Sequence, residues 1–206
     1  MKDTTFTVIA LCITTAFAAK GVDVSSYTTA FSCLYDKGYE FVGIQGYKNG
    51  LVDPNVVANI RNANRAPFSY IDIFVSPCGM VCRKRAVSQA QELVSAVRGE
   101  PYDNIWIIIG SHWSNDKDSN KLLLLEMVRE LQRLGQKVGI ATSYYNWEQT
   151  LGADWSEMSD LPLWYIEPDN QPNFDNFKPF GGWSKPVMKQ YSEGIVCGIA
   201  VALDYS

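Results

Sequence analysis

The chemistry available to this 206-residue chain rests on thiols, one imidazole and carboxylates. The thiols are Cys12, Cys33, Cys78, Cys82 and Cys197, and the only histidine is His112. One histidine excludes a multi-histidine metal centre. Cys78-x3-Cys82 has a spacing that can open a zinc site, but no Cys or His lies nearby to complete the set, so no metal is expected. A free imidazole titrates near neutrality, which makes His112 a candidate acid, although a lone histidine beside Trp113 is more often structural. No phosphate-binding glycine-rich loop is present, and no cofactor is expected. Carboxylates remain. Asp23 and Asp72 lie in short apolar runs; each is a candidate pocket acid, or else a turn anchor (Asp23) or a satisfied interior acid (Asp72). The run DNIWIIIGSHW, residues 103–113, is a further apolar stretch, with no acid between Asp103 and Asp116.

These residues must be placed by strands alternating with helices. Short apolar runs predict strands at 21–24, 39–47, 70–76, 105–109 and 138–141. Helical periodicity falls between them, over 31–37, 54–65, 85–98 and 120–134. Pro54 in the first turn and Gly135 at the end mark two helix boundaries. After Trp147 the rhythm changes. Residues 150–185 are rich in Pro, Gly, Asp and Trp around one short strand at 163–165, and two closing strands follow at 187–191 and 199–203. Five strand–helix units followed by three bare strands predict an α/β fold, a modified TIM-like (β/α)5(β)3 barrel in one domain over residues 20–206. An open doubly wound sheet is the alternative.

Composition narrows the class. Hydrophobic residues make up 47% and charged residues 19%, as in a globular chain. The net charge is -4 and no long basic block is present, so nucleic acid is not an expected partner. Residues 1–19 combine Lys2, an apolar run from Phe6 to Phe17 and small residues at 16, 18 and 19. They read as a secretory signal peptide, too short for a membrane anchor. Removing it takes away Cys12. The remaining Cys33, Cys78, Cys82 and Cys197 then predict two disulfides among three pairings in a secreted, extracellular protein, which also argues against a Cys–His nucleophile. Aromatic residues make up 13%, a richness that suits a carbohydrate-facing groove.

Five segments together carry a family likeness: GVDVSSYTTAFSCL, GYEFVGIQGYKNGLVDPNVVANIRNA, YIDIFVSPC, PLWYIEPDN and FKPFGGWSKPVMKQY. In this order and spacing the chain resembles the glycoside hydrolase family 25 (Chalaropsis-type) lysozymes, in their nematode and amoeba branch. The resemblance implies hydrolysis of the β-1,4 bond of peptidoglycan by a monomeric protein acting in innate defence against bacteria or in their digestion. Such hydrolysis needs a proton donor and a second carboxylate, held at the C-terminal ends of barrel strands. In the family an Asp-x-Glu ends the fourth strand after an Ile-Trp-Leu-like run. Here Ile105-Trp106-Ile107 matches that run, so the Asp position falls on Ile108 and the Glu position on Gly110 or in a one-residue gap beside it. A family aspartate on the last strand, in Cys-Gly-x-x-Val-Asp, falls on Ala202. Asp204 shares the face of Ala202 but lies roughly 6–7 Å further along the strand, too far unless a bulge shifts it. Asp23 retains the first-strand acid, and Gln45 stands where many relatives carry a basic residue.

The expectation is therefore a secreted lysozyme-like protein that binds peptidoglycan or a related amino-sugar glycan with impaired catalysis. One alternative is an active N-acetylmuramidase with a rearranged acid set drawn from Asp23, Asp72 and Asp204. Another is a structural or signalling protein on the same scaffold. Candidate glycan contacts are Tyr47, Trp113, Tyr144, Trp164, Tyr165 and Gln190.

Overall fold

A computed structural model describes residues 18–79, 82–110 and 113–206. The N-terminal segment expected to be a signal peptide lies almost wholly outside the described residues, as does His112. Eight strands close into a barrel: β1 (Lys20–Val24), β2 (Phe41–Lys48), β4 (Tyr70–Val75), β5 (Ile105–Ile108), β6 (Val138–Thr142), β7 (Leu163–Ile166), β8 (Met188–Val196) and β9 (Ile199–Tyr205). A ninth strand, β3 (Leu51–Val52), forms a hairpin with β2 outside the ring, turning through Asn49-Gly50 at φ 55 and 78. Closure comes from β1, which pairs parallel with β2 and antiparallel with β9. The open-sheet alternative is thereby excluded, because β1 leaves no free edge on either side.

Among the described residues, five helices connect the strands: α1 (Phe31–Asp36), α2 (Val56–Ala63), α3 (Ala86–Ala96), α4 (Lys117–Arg133) and α5 (Tyr144–Thr150). The helix expected from residue 120 begins three residues earlier, because Asp116 caps it by accepting from Asp118 N at 3.1 Å. Helix α5 was not expected from periodicity; its seven residues are crowded with aromatics. Ser143 starts it by accepting from Asn146 N at 3.0 Å, and Trp147 anchors it in the core. No helix among the described residues is long and apolar enough to cross a membrane.

Strand alternation divides the apolar side chains into two cores. Val22, Val42, Ile44, Ile73, Ile107 and Ile140 point outward under the helices. Phe41, Phe74, Trp106, Ala141, Trp164 and Met188 point inward and fill the barrel. The interior is narrow, so bulky rings face glycines: a Cβ on Gly139 would overlap the Trp106 ring, and one on Gly21 the Phe41 ring. Trp164 lies edge-on to Trp106 and Phe74, with centroids 5.8 and 6.3 Å apart. The barrel is thus plugged at mid-height, leaving separate hollows at its two ends.

Two register shifts bear on the site. In β2, Gln45 pairs with Phe74 but Tyr47 pairs with Val75, so Gly46 is the extra residue. In β8, Gln190 pairs with Asp204 but Ser192 pairs with Leu203, so Tyr191 is the extra residue. Each extra residue reverses the facing of everything beyond it.

Four cysteines form two disulfides, Cys33–Cys197 and Cys78–Cys82. Cys197 and Gly198, at φ 53 and 78, form the two-residue turn of the β8–β9 hairpin. The first disulfide ties that tip to α1.

Candidate active site

A cleft of about 640 Å³ opens at the C-terminal ends of the parallel strands. Its floor and walls include Asp23 from β1, Gln45 and Lys48 from β2, Phe74 from β4, Ile108 from β5, Gln190 and Glu193 from β8, and Ala202 from β9. The β8–β9 hairpin rises as one wall and presents Ile195, 80% exposed.

Asp23 is the buried acid of this cleft. Gln190 Nε2 donates to its Oδ2 at 2.6 Å. Burial pushes the Asp23 carboxyl up to about 6; the Gln190 hydrogen bond opposes that shift and the nearby charge of Glu193 adds to it. Beneath it lies Asp204, 1% exposed. Trp164 Nε1 donates to Asp204 Oδ1 at 3.1 Å, while Oδ2 has no partner. Burial, then the charge of Asp23, raises the Asp204 carboxyl well above its ordinary range. A neutral carboxyl at Asp204 is the form this pocket favours.

Strand β5 presents Ile108 to the cleft, and no acid. Gly110 is partly exposed, and a Cβ built on it would meet nothing within 4 Å. Ala202 sits on the cleft wall, between Asp23 and Glu193 in the strand register. No bulge in β9 lifts Asp204 toward the cleft: Asp204 pairs with Gly21 and Ala202 with Asp23 in uninterrupted register. Asp204 therefore stays one inward position deeper.

Asp72 lies elsewhere. It borders a separate hollow of about 360 Å³ formed by residues at the strand starts, with Tyr70, Asn104, Trp106 and Met188. Its Oδ1 accepts from Asn104 N at 3.0 Å and Asn104 Nδ2 at 2.9 Å, and its Oδ2 accepts from Trp106 Nε1 at 2.6 Å. Burial pushes it up to about 6 against those three donors. Asp72 is placed as a hydrogen-bonded interior acid at the opposite end from Asp23.

Of the candidate glycan contacts, only Gln190 lines the cleft. Tyr47 is fully buried on the outer side of the barrel, because the Gly46 bulge turns it under α3, where its hydroxyl donates to Glu92 at 3.0 Å. Trp164 fills the barrel interior, and Tyr165 packs outward against Phe177 and Phe180. Trp113 is buried, with its backbone against Gly79. Tyr144 is 45% exposed but borders a different hollow of about 510 Å³ beside Phe180 and Trp183. Buried rings cannot present a face to a sugar, so sequence richness in aromatics overstates the stacking surface.

Lys48 and Glu193 are cleft residues that sequence reasoning missed. Simple alternation from Gln190 turns Glu193 outward; the Tyr191 bulge turns it in. No local signal in Lys189-Gln190-Tyr191-Ser192-Glu193 announces that bulge. Lys189 points away from the barrel interior and is wholly buried, donating to Asp169 Oδ2 at 2.8 Å and Asn176 Oδ1 at 3.1 Å. It anchors the 167–180 segment to β8. Among the described residues, no group of three or more His, Cys, Asp or Glu side chains is arranged to hold a metal ion.

Comparison with known proteins agrees with this architecture. The family described as Lysozyme-like protein 1 matches residues 14–191. The chain is 33% identical to Lysozyme-like protein 5 of Caenorhabditis elegans, over 100% of this chain and 99% of that protein. It is 35% identical to Probable GH family 25 lysozyme 2 of Dictyostelium discoideum, over 91% of each. Among solved structures, the bacterial lysozyme from Streptomyces coelicolor shares the fold with a TM-score of 0.75 at 17% identity, over 90% of each chain. With the closed eight-strand barrel, the cleft at its C-terminal end and full-length likeness to these relatives, the chain belongs to the lysozyme-like proteins of glycoside hydrolase family 25.

Proposed function

We propose that this protein is secreted and binds the glycan strands of bacterial peptidoglycan in its barrel cleft, in defence against bacteria or in their digestion, without efficient hydrolysis. The observation that carries the reading is the cleft itself. It has the volume and position of a barrel active site, yet Ile108 and Ala202 stand where the resemblance places acids. A general acid contributes roughly 10²–10⁴-fold in rate, so losing these groups depresses turnover while leaving polar contacts to sugar hydroxyls and amides in place. Gln45, Lys48, Ser76 and Gln190 supply such contacts. Two disulfides and the N-terminal apolar run support an oxidising, extracellular setting.

Two assays on the purified protein test this. Retention on insoluble peptidoglycan is expected to exceed that of an unrelated acidic protein. Clearing of a cell-wall suspension is expected to be at least about 10²-fold slower than by a relative that carries the fourth-strand acids. Clearing at the relative's rate refutes the impaired-catalysis reading, and absence of retention refutes the binding reading.

A further inference from the structure

We propose that the hollow beside helix α5 is an accessory sugar site, separate from the cleft, that takes a neutral N-acetylhexosamine of a glycan chain. The hollow measures about 510 Å³, within the range of small-molecule sites. It shares no lining residue with the cleft. It lies on the flank of the barrel, because Phe180 and Trp183 in its wall belong to the core outside the strands. Sugar binding here does not depend on what the cleft binds. Of the aromatic residues expected to contact glycan, Tyr144 alone is left open to solvent, at 45%. Its ring is held from two directions. It meets Phe180 edge to face, with centroids 5.7 Å apart, and its hydroxyl donates to Glu148 Oε1 at 3.3 Å. A tyrosine ring fixed in this way offers a large contact area at little entropic cost, and a pyranose stacks its C–H groups on such a face.

The opposite wall is set before any ligand arrives. It comes from Phe180-Gly181-Gly182-Trp183-Ser184, part of a family-like motif from which the cleft takes nothing in this stretch. Gly181 and Gly182 adopt φ 55 and 85. A Cβ on Gly181 would lie 2.7 Å from Trp147 Nε1, and one on Gly182 would lie 2.7 Å from Ser159 Cβ. Gly181 N donates to Ala153 O at 3.1 Å, and the Trp147 and Trp183 rings cross at 4.7 Å. A wall this tightly seated needs no ordering on binding, which removes one of the costs of association. Asp154, Ser156 and Ser184 are exposed on the rim, a carboxylate that accepts from sugar hydroxyls and two hydroxyls that donate or accept. Pro179 and Phe180 give an apolar backing for the methyl of an acetamido group. Charge selects among sugars. No Lys or Arg lines the hollow, and none occurs from Val138 to Phe177, a stretch that carries seven acids. The charge of Glu148 raises the Tyr144 hydroxyl above its ordinary range, and that of Asp154 adds to it. A sugar bearing a carboxylate is disfavoured beside these acids, whereas a neutral N-acetylhexosamine is not. The rim acids are open to water, where a lone cation gains little from them.

The test uses the full protein, labelled with nitrogen-15, and chitotetraose, a neutral β-1,4-linked tetramer of N-acetylglucosamine. The backbone amides of Gly181 and Gly182 report on the hollow, and those of Gly194 and Ala202 on the cleft. Titration is expected to shift Gly181 and Gly182. Tyr144→Ala is expected to weaken the binding read at these amides by about 10-fold, and Tyr144→Phe by no more than about 2-fold. Asp154→Ala is expected to weaken it by about 3–5-fold. Tyr144 and Asp154 are exposed, and urea unfolding verifies that each variant keeps the fold. Added salt at about 0.5 M is expected to leave the affinity unchanged, since a neutral ligand is not screened. Gly181 and Gly182 left unshifted at millimolar sugar overturn the proposal, whether or not the cleft amides move. Tyr144→Ala that binds as wild type does overturns it too. Stronger shifts of the same two amides by lysine amide, abolished by salt, assign the hollow to a cation and overturn the sugar assignment. Loss of peptidoglycan retention while Gly181 and Gly182 still respond to chitotetraose refutes the cleft reading and leaves this site standing.

Discussion

Consider the unfolding free energy of this protein measured from pH 4.5 to pH 7.5. Asp23 and Asp72 are both carried from 3.8 to about 6 by burial. A folded-state value above the unfolded one means that the folded chain binds more protons through this window. The stability associated with the neutral carboxyls is fully present below pH about 3.9 and is lost as pH rises through about 6. For Asp72, two units at about 1.36 kcal/mol each give about 3 kcal/mol, and Asp23 acts in the same direction. That is a large share of the 5–15 kcal/mol typical of a domain. Asp204 acts in the same direction. Glu130 acts oppositely, since Arg133 and then Gln91 hold it down to about 2, but its contribution is lost only as pH falls below about 4.5, outside the window. Urea unfolding followed by tryptophan fluorescence should therefore show stability falling by several kcal/mol from pH 4.5 to 7.5. Asp204→Asn sharpens the test. The amide keeps the acceptor for Trp164 Nε1, places its NH2 where Oδ2 has no partner, and removes a buried ionisable group. It should raise stability at pH 7.5 and flatten the slope. Asp72→Asn should instead destabilise by about 1–3 kcal/mol at acidic pH, because an amide NH2 would face one of the donors that Asp72 now accepts. A wild-type stability that is flat or rises between pH 4.5 and 7.5 refutes the assignment of these acids as neutral interior groups.

Other variants follow from the same geometry. Ile108→Asp with Gly110→Glu puts acids at the two positions that the resemblance names, and a Cβ on Gly110 meets nothing within 4 Å; cell-wall clearing should rise on the order of 10²-fold. A folded double variant that clears no faster than wild type would show that β5 is not registered as the resemblance implies. Removing Cys33–Cys197 with paired serines opens a closure of 164 residues; chain entropy sets the loss at about 5 kcal/mol, read as a lower urea midpoint. Lys189→Met removes a wholly buried cation and leaves Asp169 partly buried without its partner. A loss of about 2–3 kcal/mol is expected by thermal unfolding, with earlier proteolysis in 167–180.

The chain's own order of residues decides a good deal. Period-two apolar runs, helix starts such as Pro54 and stops such as Gly135 specify the alternation, and hence the barrel class. The missing acids at Ile108, Gly110 and Ala202 are visible because they are absences within matched motifs. Four cysteines outside the expected signal peptide imply two disulfides. These are local facts, written in composition and spacing. Pairing Cys33 with Cys197 is different, because it depends on α1 lying beside the tip of the β8–β9 hairpin. So is the end of the barrel on which Asp72 opens, which depends on strand tilt and on the Trp106 and Trp164 plug. Tyr47 and Glu193 make the point most directly. Alternation places Tyr47 in the cleft and Glu193 outside it, and the structure reverses both. One extra residue in β2 and one in β8 cause the reversals, and an extra residue exists only relative to the partner strand it fails to match. The sequence by itself determined which fold forms and which positions matched by the resemblance carry no acid. Tertiary pairing alone decided which acid faces Asp23, because facing is a property of register between strands and not of either strand alone.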